Sequence, residues 1–254
     1  MNQNTINDFL PQRKILVIGD SSRDVFVYCD ALRLCPDVPV PVLNVKGQSE
    51  NPGMAANVQR NIKKAWGQCD IMTNGNWHDI TKTMYVHSAS NHTFFRVDIP
   101  HDISRIDLST IDYNAYDLIV ISDYDKGFLT EDDINEICWH HANTFLDTKK
   151  ILGVWCQHAK YIKINDFEYQ NSKPYLVPEI KNRIIHTMGG EGCEYKSKRY
   201  PVNKVEVKDV SGAGDTFMAS LVVEYCRTDD IIESIKFANK CASQVVTQRG
   251  VTVL

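Results

Sequence analysis

Apolar runs of strand length recur along the chain, and several close on a small or acidic residue. Residues 14–20 read Lys-Ile-Leu-Val-Ile-Gly-Asp and residues 116–123 read Tyr-Asp-Leu-Ile-Val-Ile-Ser-Asp. Near-continuous apolar runs of this length fit buried parallel strands. Shorter runs at 70–74, 145–147, 161–165 and 183–187 predict further strands, and 250–254 predicts a last one. Between them the apolar period lengthens to that of a helix. Ala55, Val58, Ile62 and Ala65 share one face, and Ile231, Ile235, Ala238, Ala242 and Val245 share another. A helix over 130–142 opens at Thr130 with acids at 131–133, which suits its positive end. The stretch from Phe217 to Val223 is almost wholly apolar, as expected of a helix in the middle of a core. Segments 25–29 and 39–45 are rich in β-branched residues, with prolines confining the second to an edge or entry. Segments 82–87 and 93–98 predict a hairpin. The alternation of strands and helices predicts an α/β doubly wound three-layer sandwich over residues 1–254 as one domain. Segments near 25–45 and 83–98 are expected to form a small β-sheet lid over it.

Composition narrows the function classes. The 254 residues are 43% hydrophobic and 24% charged, ordinary for a soluble globular protein with a sizeable core. A formal net charge of -4, without a basic stripe interleaved with aromatics, argues against nucleic acid. The apolar runs are too short to predict a membrane span, and residues 1–12 are polar without a signal-peptide pattern. The eight cysteines are scattered, with no Cys-x-x-Cys, which predicts reduced thiols and a cytoplasmic protein. Cys138-Trp-His-His141 lacks the second half of a zinc site and predicts the end of a surface helix.

The chemistry concentrates at residues 209–216, Asp-Val-Ser-Gly-Ala-Gly-Asp-Thr. Leading into the apolar helix, this run places the N–H groups of Gly212, Ala213 and Gly214 in a first turn, where they have no partner within the helix. The helix dipole adds about half a positive charge, so an anion is expected there. Asp215 would repel a resting anion, but it suits a site where a hydroxyl loses its proton beside a phosphoryl group. The residues alone leave a plainer alternative, with Asp209 or Ser211 as an N-cap and the glycines relieving crowding. Asp20 and Asp24 either bind sugar hydroxyls or cap a turn. Asn57, in the first turns of its helix, is placed to point into the same crevice. Gly189 and Gly192 follow a strand, where they either admit a nucleotide close to the backbone or make a tight hairpin into 193–195.

The string Asp-x-Ser-Gly-Ala-Gly-Asp-Thr resembles the second signature of the ribokinase-like, or phosphofructokinase-B, carbohydrate kinases. Three further segments, 18–24, 34–42 and 52–58, resemble in order and wording the bacterial D-glycero-D-manno-heptose-7-phosphate kinases. Ser122-Asp-Tyr-Asp-Lys-Gly127 continues the likeness, which runs from about residue 14 to 254. It implies a ribokinase-like fold, ATP and Mg2+ as cofactors, and transfer to a hydroxyl of a sugar or sugar phosphate. The acceptor it points to is heptose 7-phosphate at the anomeric hydroxyl. By the same resemblance Asp215 is the catalytic base, and the Gly212, Ala213 and Gly214 amides form the anion hole. Asp20, Asp24, Gly53 and Asn57 hold the sugar. Arg96 and Lys126 lie near the sugar or its phosphate, although each is otherwise a solvated side chain. Asn165 and Glu168 match Asn-x-x-Glu and help to place magnesium, largely through water. Thr187, Gly189 and Gly192 lie at the ATP phosphates and ribose, and Asn239 lies beside the adenine. A homodimer through the lid is implied too.

Two departures stand out. The family usually has Gly-Gly where this chain has Gly53-Met54, and a second glycine permits torsions that methionine resists. The chain also lacks a helix and strand before the 82–98 hairpin and is shortened after Glu168. These features keep two alternatives open: a kinase for another sugar or a nucleoside, and a non-catalytic nucleotide- or sugar-binding homologue.

Overall fold

The structure, a computed structural model, describes residues 13–248; the polar segment 1–12 and the strand expected at 250–254 lie outside them. The first apolar run forms β1 (Ile15–Gly19), followed by the long strands β2 (Ser21–Leu34) and β3 (Pro41–Met54) and helix α1 (Ala55–Trp66). Next come β4 (Cys69–Met72), β5 (Thr81–His87), β6 (Thr93–Ile99), β7 (Leu118–Asp123), α2 (Glu131–His140) and β8 (Thr144–Thr148). The chain continues through β9 (Tyr161–Asn165), α3 (Asp166–Ser172), α4 (Pro178–Lys181), β10 (Ile184–Thr187), β11 (Cys193–Tyr195) and β12 (Lys198–Tyr200). It closes with α5 (Ala213–Thr228) and α6 (Ile231–Val245).

The main sheet has eight strands in the order β12-β11-β10-β9-β8-β7-β1-β4. From β4 to β10 all pairings are parallel, and β11 and β12 close one edge as an antiparallel meander. The chain leaves β1 towards β4 on one side and later returns to β7 on the other. That reversal opens a crevice at the carboxyl ends of the strands, where ligands of doubly wound sheets bind. Both faces of the sheet are covered. Val17, Val120 and Phe145 pack with Val58, Met218, Leu221, Val222, Ile235 and Ala238 of α1, α5 and α6. Ile18, Ile121 and Ile162 pack on the opposite side with Ile134 and Ile137 of α2 and Ile180 of α4. Every residue of α5 from Asp215 to Val223 is buried, so the helix that reads apolar on most faces is central.

The second sheet has four strands in the order β3-β2-β5-β6, with β3 at an edge as its prolines require. The two short strands expected at 25–29 and 39–45 are parts of one long antiparallel hairpin, paired from Ser21↔Met54 to Leu34↔Pro41 with register shifts after Tyr28 and after Asp30. Sequence pattern misses this length because the tip is solvated on both sides, which removes the alternation that marks a half-buried strand. The hairpin expected at 82–98 is present as β5 and β6. Thr130 caps α2 in a reciprocal capping box with Asp133. Cys138 and His140 belong to α2 and His141 follows it, and among the described residues no group of three or more His, Cys, Asp or Glu is placed to hold a metal. Among them, too, no helix is long and apolar enough to cross a membrane.

Gly19 sets the spacing of β1 on β7. A Cβ there would lie 1.9 Å from the carbonyl oxygen of Ser122. Gly19→Ala is therefore expected to destabilise the fold by about 1–3 kcal/mol or more, as overpacking does. Denaturant unfolding measures this, and unchanged stability would show that the β1–β7 spacing has slack the structure does not display.

Candidate active site

The carboxyl edge of the main sheet gathers the polar residues that the apolar runs deliver. Asp20 follows β1, Asp123 and Tyr124 end β7 and the turn after it, Asp147 lies in β8, and Lys163 and Asn165 lie in β9. Asp215 faces this edge from the first turn of α5. Its carboxylate is buried, at 6% exposure, and accepts hydrogen bonds from Asn57 Nδ2 at 2.8 Å and the Tyr124 hydroxyl at 2.7 Å. Burial pushes its pKa above the usual carboxylate range, and the bonds from Asn57 and Tyr124 pull it back. The Tyr124 hydroxyl is pushed well above its ordinary range by desolvation and by the charge of Asp215, so it stays a donor. This is a desolvated carboxylate with one face held by two donors, a form suited to accept a proton from a nearby hydroxyl.

Gly212 caps α5 in the left-handed region at φ 75°, and the helix begins at Ala213. The turn differs in one detail from the anion hole expected of it. The Ala213 N–H donates to the Val210 carbonyl at 3.2 Å, while Gly214 and Asp215 lie in the first turn, which has no intrahelical acceptors. A Cβ on Gly214 would lie 3.1 Å from Lys163 Nζ, so a buried ammonium sits against this turn. Lys163 is paired with Asp147 at 2.7 Å, and the second oxygen of Asp147 has no partner among the described residues. Sequence reasoning passed over Lys163, Asp147 and Tyr124. A lysine and an aspartate inside apolar strands were the available signal, since charged residues are rarely buried without a partner or a task.

The expected sugar residues divide. Asn57 lies at the crevice, where its Nδ2 donates to Asp215. Asp24 is partly buried, accepts from Ser22 Oγ at 3.2 Å and packs so closely on Gly53 that a Cβ there would lie 2.5 Å from its oxygen. Burial raises the Asp24 pKa, with Lys82 opposing. Asp20 is instead spent on the backbone. It accepts from Tyr124 N at 2.8 Å and Phe128 N at 3.2 Å, holding the 124–128 loop in place. Arg96 is exposed and paired with Asp98 at 2.7 Å on β6. Lys126 lies in the exposed turn after β7. Burial lowers the Lys82 pKa, Asp24 raises it, and Lys126 and Arg96 lower it again, so these three cations share one rim. Lys82 sits 5.5 Å from the centre of the Tyr124 ring, and Lys149 sits 5.2 Å from it.

The expected nucleotide and metal residues are mostly engaged. Asn165 and Glu168 bond reciprocally as the capping box of α3, and Lys149 pairs with Glu168. Each oxygen of that pair already accepts a hydrogen bond, whereas one oxygen of Asp147 has no partner among the described residues. Thr187 Oγ1 donates to the Ile164 carbonyl at 3.2 Å. Gly189 and Gly192 adopt positive φ of 56° and 88°; a Cβ at Gly189 or Gly190 would meet nothing, which leaves that backbone open to a flat ligand. Asn239 is used in packing, donating to the Tyr200 carbonyl at 2.8 Å.

Because the Tyr124 bond favours the ionised Asp215, removing it disfavours ionisation. The acid limb of any Asp215-dependent activity is expected to move to higher pH in Tyr124→Phe, by about one to two units, since a hydrogen bond to a charged group contributes about 1.5–3 kcal/mol. A pH–kcat profile checks this; a limb that stays in place would disconnect Tyr124 from the base.

The pattern described as "pfkB family carbohydrate kinase" matches residues 76–254, and the chain belongs to this family of phosphotransferases with an alcohol acceptor. The bifunctional protein HldE of Helicobacter pylori strain G27 is 29% identical over 294 aligned positions, covering 94% of this chain and 64% of its own length. The chain thus spans less than two thirds of that relative. The alignment exceeds the 254 residues present, in keeping with shortened segments. Among solved structures, ribokinase from Thermotoga maritima superposes with a TM-score of 0.72 at 16% identity, covering 94% of both chains. Ribokinase of Arabidopsis thaliana, complexed with ribose and ATP, superposes at 0.64 and 12% identity, again over 94% of each. The fold is ribokinase-like.

Proposed function

We propose that this pfkB-family chain transfers the γ-phosphoryl group of ATP to a hydroxyl of a sugar phosphate, with Asp215 as the base. The buried Asp215 carboxylate between Asn57 and Tyr124, at the Gly-rich head of α5, carries the reading. Asp215 takes the proton as the acceptor oxygen attacks, a contribution of about 10²–10⁴ in rate. The first-turn amides and the Lys163 ammonium stabilise the charge that develops on the phosphoryl oxygens. Losing one such donor costs roughly 3–4 kcal/mol.

Magnesium, when bound with ATP, neutralises phosphate charge. The residues fit an ion that keeps most of its water, because Asp147 offers a buried carboxylate oxygen without a partner while no multi-ligand cage exists among the described residues. Asn165 and Glu168 act at one remove in this reading, by fixing Lys149. The backbone at 187–192 receives the nucleotide.

Heptose 7-phosphate, reacting at its anomeric hydroxyl, is the acceptor favoured by the segments 18–24 and 52–58 and by the likeness to HldE. A phosphorylated rather than neutral sugar also suits the rim of Lys82, Lys126 and Arg96. The four-stranded sheet acts as a lid that excludes water. It also offers a homodimer surface, supported by exposed Val45, Phe95, Val97 and Ile99.

The test is ADP release with Mg-ATP across heptose 7-phosphate, fructose 6-phosphate, fructose, ribose and adenosine, with Asp215→Asn as control. Turnover with heptose 7-phosphate, lowered by about 10²–10⁴ in Asp215→Asn, is expected. Turnover with another acceptor would move the substrate and keep the mechanism. Silence across the panel, with ATP still bound, would leave a non-catalytic binding protein.

A further inference from the structure

Helix α1 has a second face, turned away from Asp215. Asn57 and Asn61 are buried, with Asn57 bonded to Asp215, whereas Ala56, Gln59, Arg60 and Lys63 follow one another at helical spacing along another side. That side borders a cavity of about 690 Å³, to which Ile71 of β4 and Pro52 of β3 add apolar surface. None of Asp20, Asp24, Asn57, Lys82, Tyr124 or Asp215 lines it. The recess exists because β4 is the outermost strand of the main sheet, and the chain passes from it to β5 through residues 73–80, which contain no helix. This connection is nevertheless pinned. Asn74, 3% exposed, accepts from the Ser21 N–H at 2.8 Å and donates to the Ser21 carbonyl at 3.3 Å and to Asn76 Oδ1 at 3.1 Å. The Trp77 N–H donates to the Asn74 carbonyl at 3.2 Å, and the His78 ring lies 3.6 Å from the Trp77 ring. An indole is thereby set into the wall of the cavity.

The charge of this recess is one-sided. Arg60, Lys63 and Lys64 line it, and among the described residues no carboxylate does, although the chain as a whole carries a net charge of -4. Arg60 donates to the side-chain oxygen of Asn51 at 2.8 Å, a neutral partner, and Lys63 is exposed. Cations one helical turn apart present two positive charges together, which suits a phosphate better than a single carboxylate, and the guanidinium adds paired donors of matching geometry. The volume falls within the roughly 300–1,000 Å³ of small-molecule sites, whose walls are mostly apolar with a few placed polar groups. We propose that the recess between α1, β4 and residues 73–80 is a second ligand site, for a nucleotide-type phosphate whose flat ring rests on Trp77 and Ile71 and whose phosphate meets Arg60 and Lys63. The occupant is bound rather than transformed. Among the described residues no carboxylate, thiol or imidazole lines the recess to act as base or nucleophile, and the one lining hydroxyl, Thr73 Oγ1, donates to the Gly19 carbonyl at 2.7 Å.

Fluorine NMR of the fluorotryptophan-labelled protein reports its 4 indoles separately, and Trp77→Phe assigns the resonance of Trp77. AMP, GMP, UMP and FMN are titrated, with adenosine and inorganic phosphate as the two halves of the ligand. At least one of the four nucleotides is expected to give a saturable shift that is largest at Trp77. Adenosine and inorganic phosphate, each reaching one end of the site, are expected to bind at least about tenfold more weakly than that nucleotide. Arg60→Gln combined with Lys63→Gln is expected to weaken its binding at least about tenfold. Lys173→Gln combined with Lys181→Gln removes as much charge from exposed positions in the part of the chain that packs on the opposite face of the main sheet. That pair is expected to leave affinity within about twofold, because distant exposed charges are screened. Thermal melting checks that each variant is folded. No saturable shift at Trp77 with any of the four nucleotides overturns the proposal, and so does unchanged affinity in the Arg60→Gln, Lys63→Gln protein, since the nucleotide would then be bound elsewhere. An equal loss in both variant pairs, or inorganic phosphate binding as tightly as the nucleotide, overturns it as well.

Discussion

A carboxylate withdrawn from water must be held by donors, and Asp215 meets that requirement by drawing three distant parts of the chain together. Asn57 comes from the first turns of α1, Tyr124 from the turn after β7, and Asp215 itself from the head of α5. Desolvation raises the pKa of the acid, and the two hydrogen bonds oppose that shift. The bonds also fix where the carboxylate points. Asp20 completes the arrangement from beneath, because its two oxygens hold the amides of Tyr124 and Phe128 and so position the turn that carries the tyrosine. Asp20, which reads as a sugar ligand in sequence, is here bonded to the backbone of the turn that carries Tyr124.

The charges around this carboxylate are graded by burial. Lys163 and Asp147 form a buried pair directly under the α5 turn, where each ion needs the other to offset lost hydration. Lys149 is lowered by burial but raised more by Asp147 and Glu168, so it remains a cation beside Tyr124. Farther out, Lys82, Lys126 and Arg96 crowd one rim with Asp24 among them. Such a gradient leaves cations at the rim and keeps the Asp215 carboxylate dry. It also explains why the Asn165–Glu168 pair is closed on itself. A carboxylate already bonded to Lys149 and to the backbone is a fixed element of the wall, and metal charge is better met by phosphate oxygens and water.

The second sheet depends on the same edge. Its β2 and β3 strands begin and end at Ser21 and Met54, immediately beside the crevice, so movement of that sheet bears on the acceptor side. Met54 stands where the hairpin becomes α1, at φ 60°, with its sulfur 3.4 Å from Ser22 Oγ and 2.8 Å from Lys82 Nζ. Strain kept at such a junction is the kind that function, rather than folding, commonly retains.

Much of this was legible in order along the chain. Continuous apolar runs identify the parallel strands because both faces of that sheet are covered, and the all-apolar stretch after Asp215 marks the central helix for the same reason. The glycines at 212 and 214, with Asp215 behind them, point to a first turn with free amides because local backbone physics alone creates it. What pattern does not carry is which polar groups meet across the fold. Tyr124, Lys163 and Asp147 acquire their places from strand order and register, which bring together residues 91 and 16 positions apart. Asp20 and Asn239 look like ligand contacts in sequence yet are used by backbone carbonyls and amides that only packing brings near. The sequence by itself determined the layers and the Gly-rich turn at the head of α5, since both follow from hydrophobic period and chain-local hydrogen bonding. The tertiary structure alone decided the partners of Asp215 and the place of the Met54 side chain, since burial and long-range pairing set a buried polar group's energy.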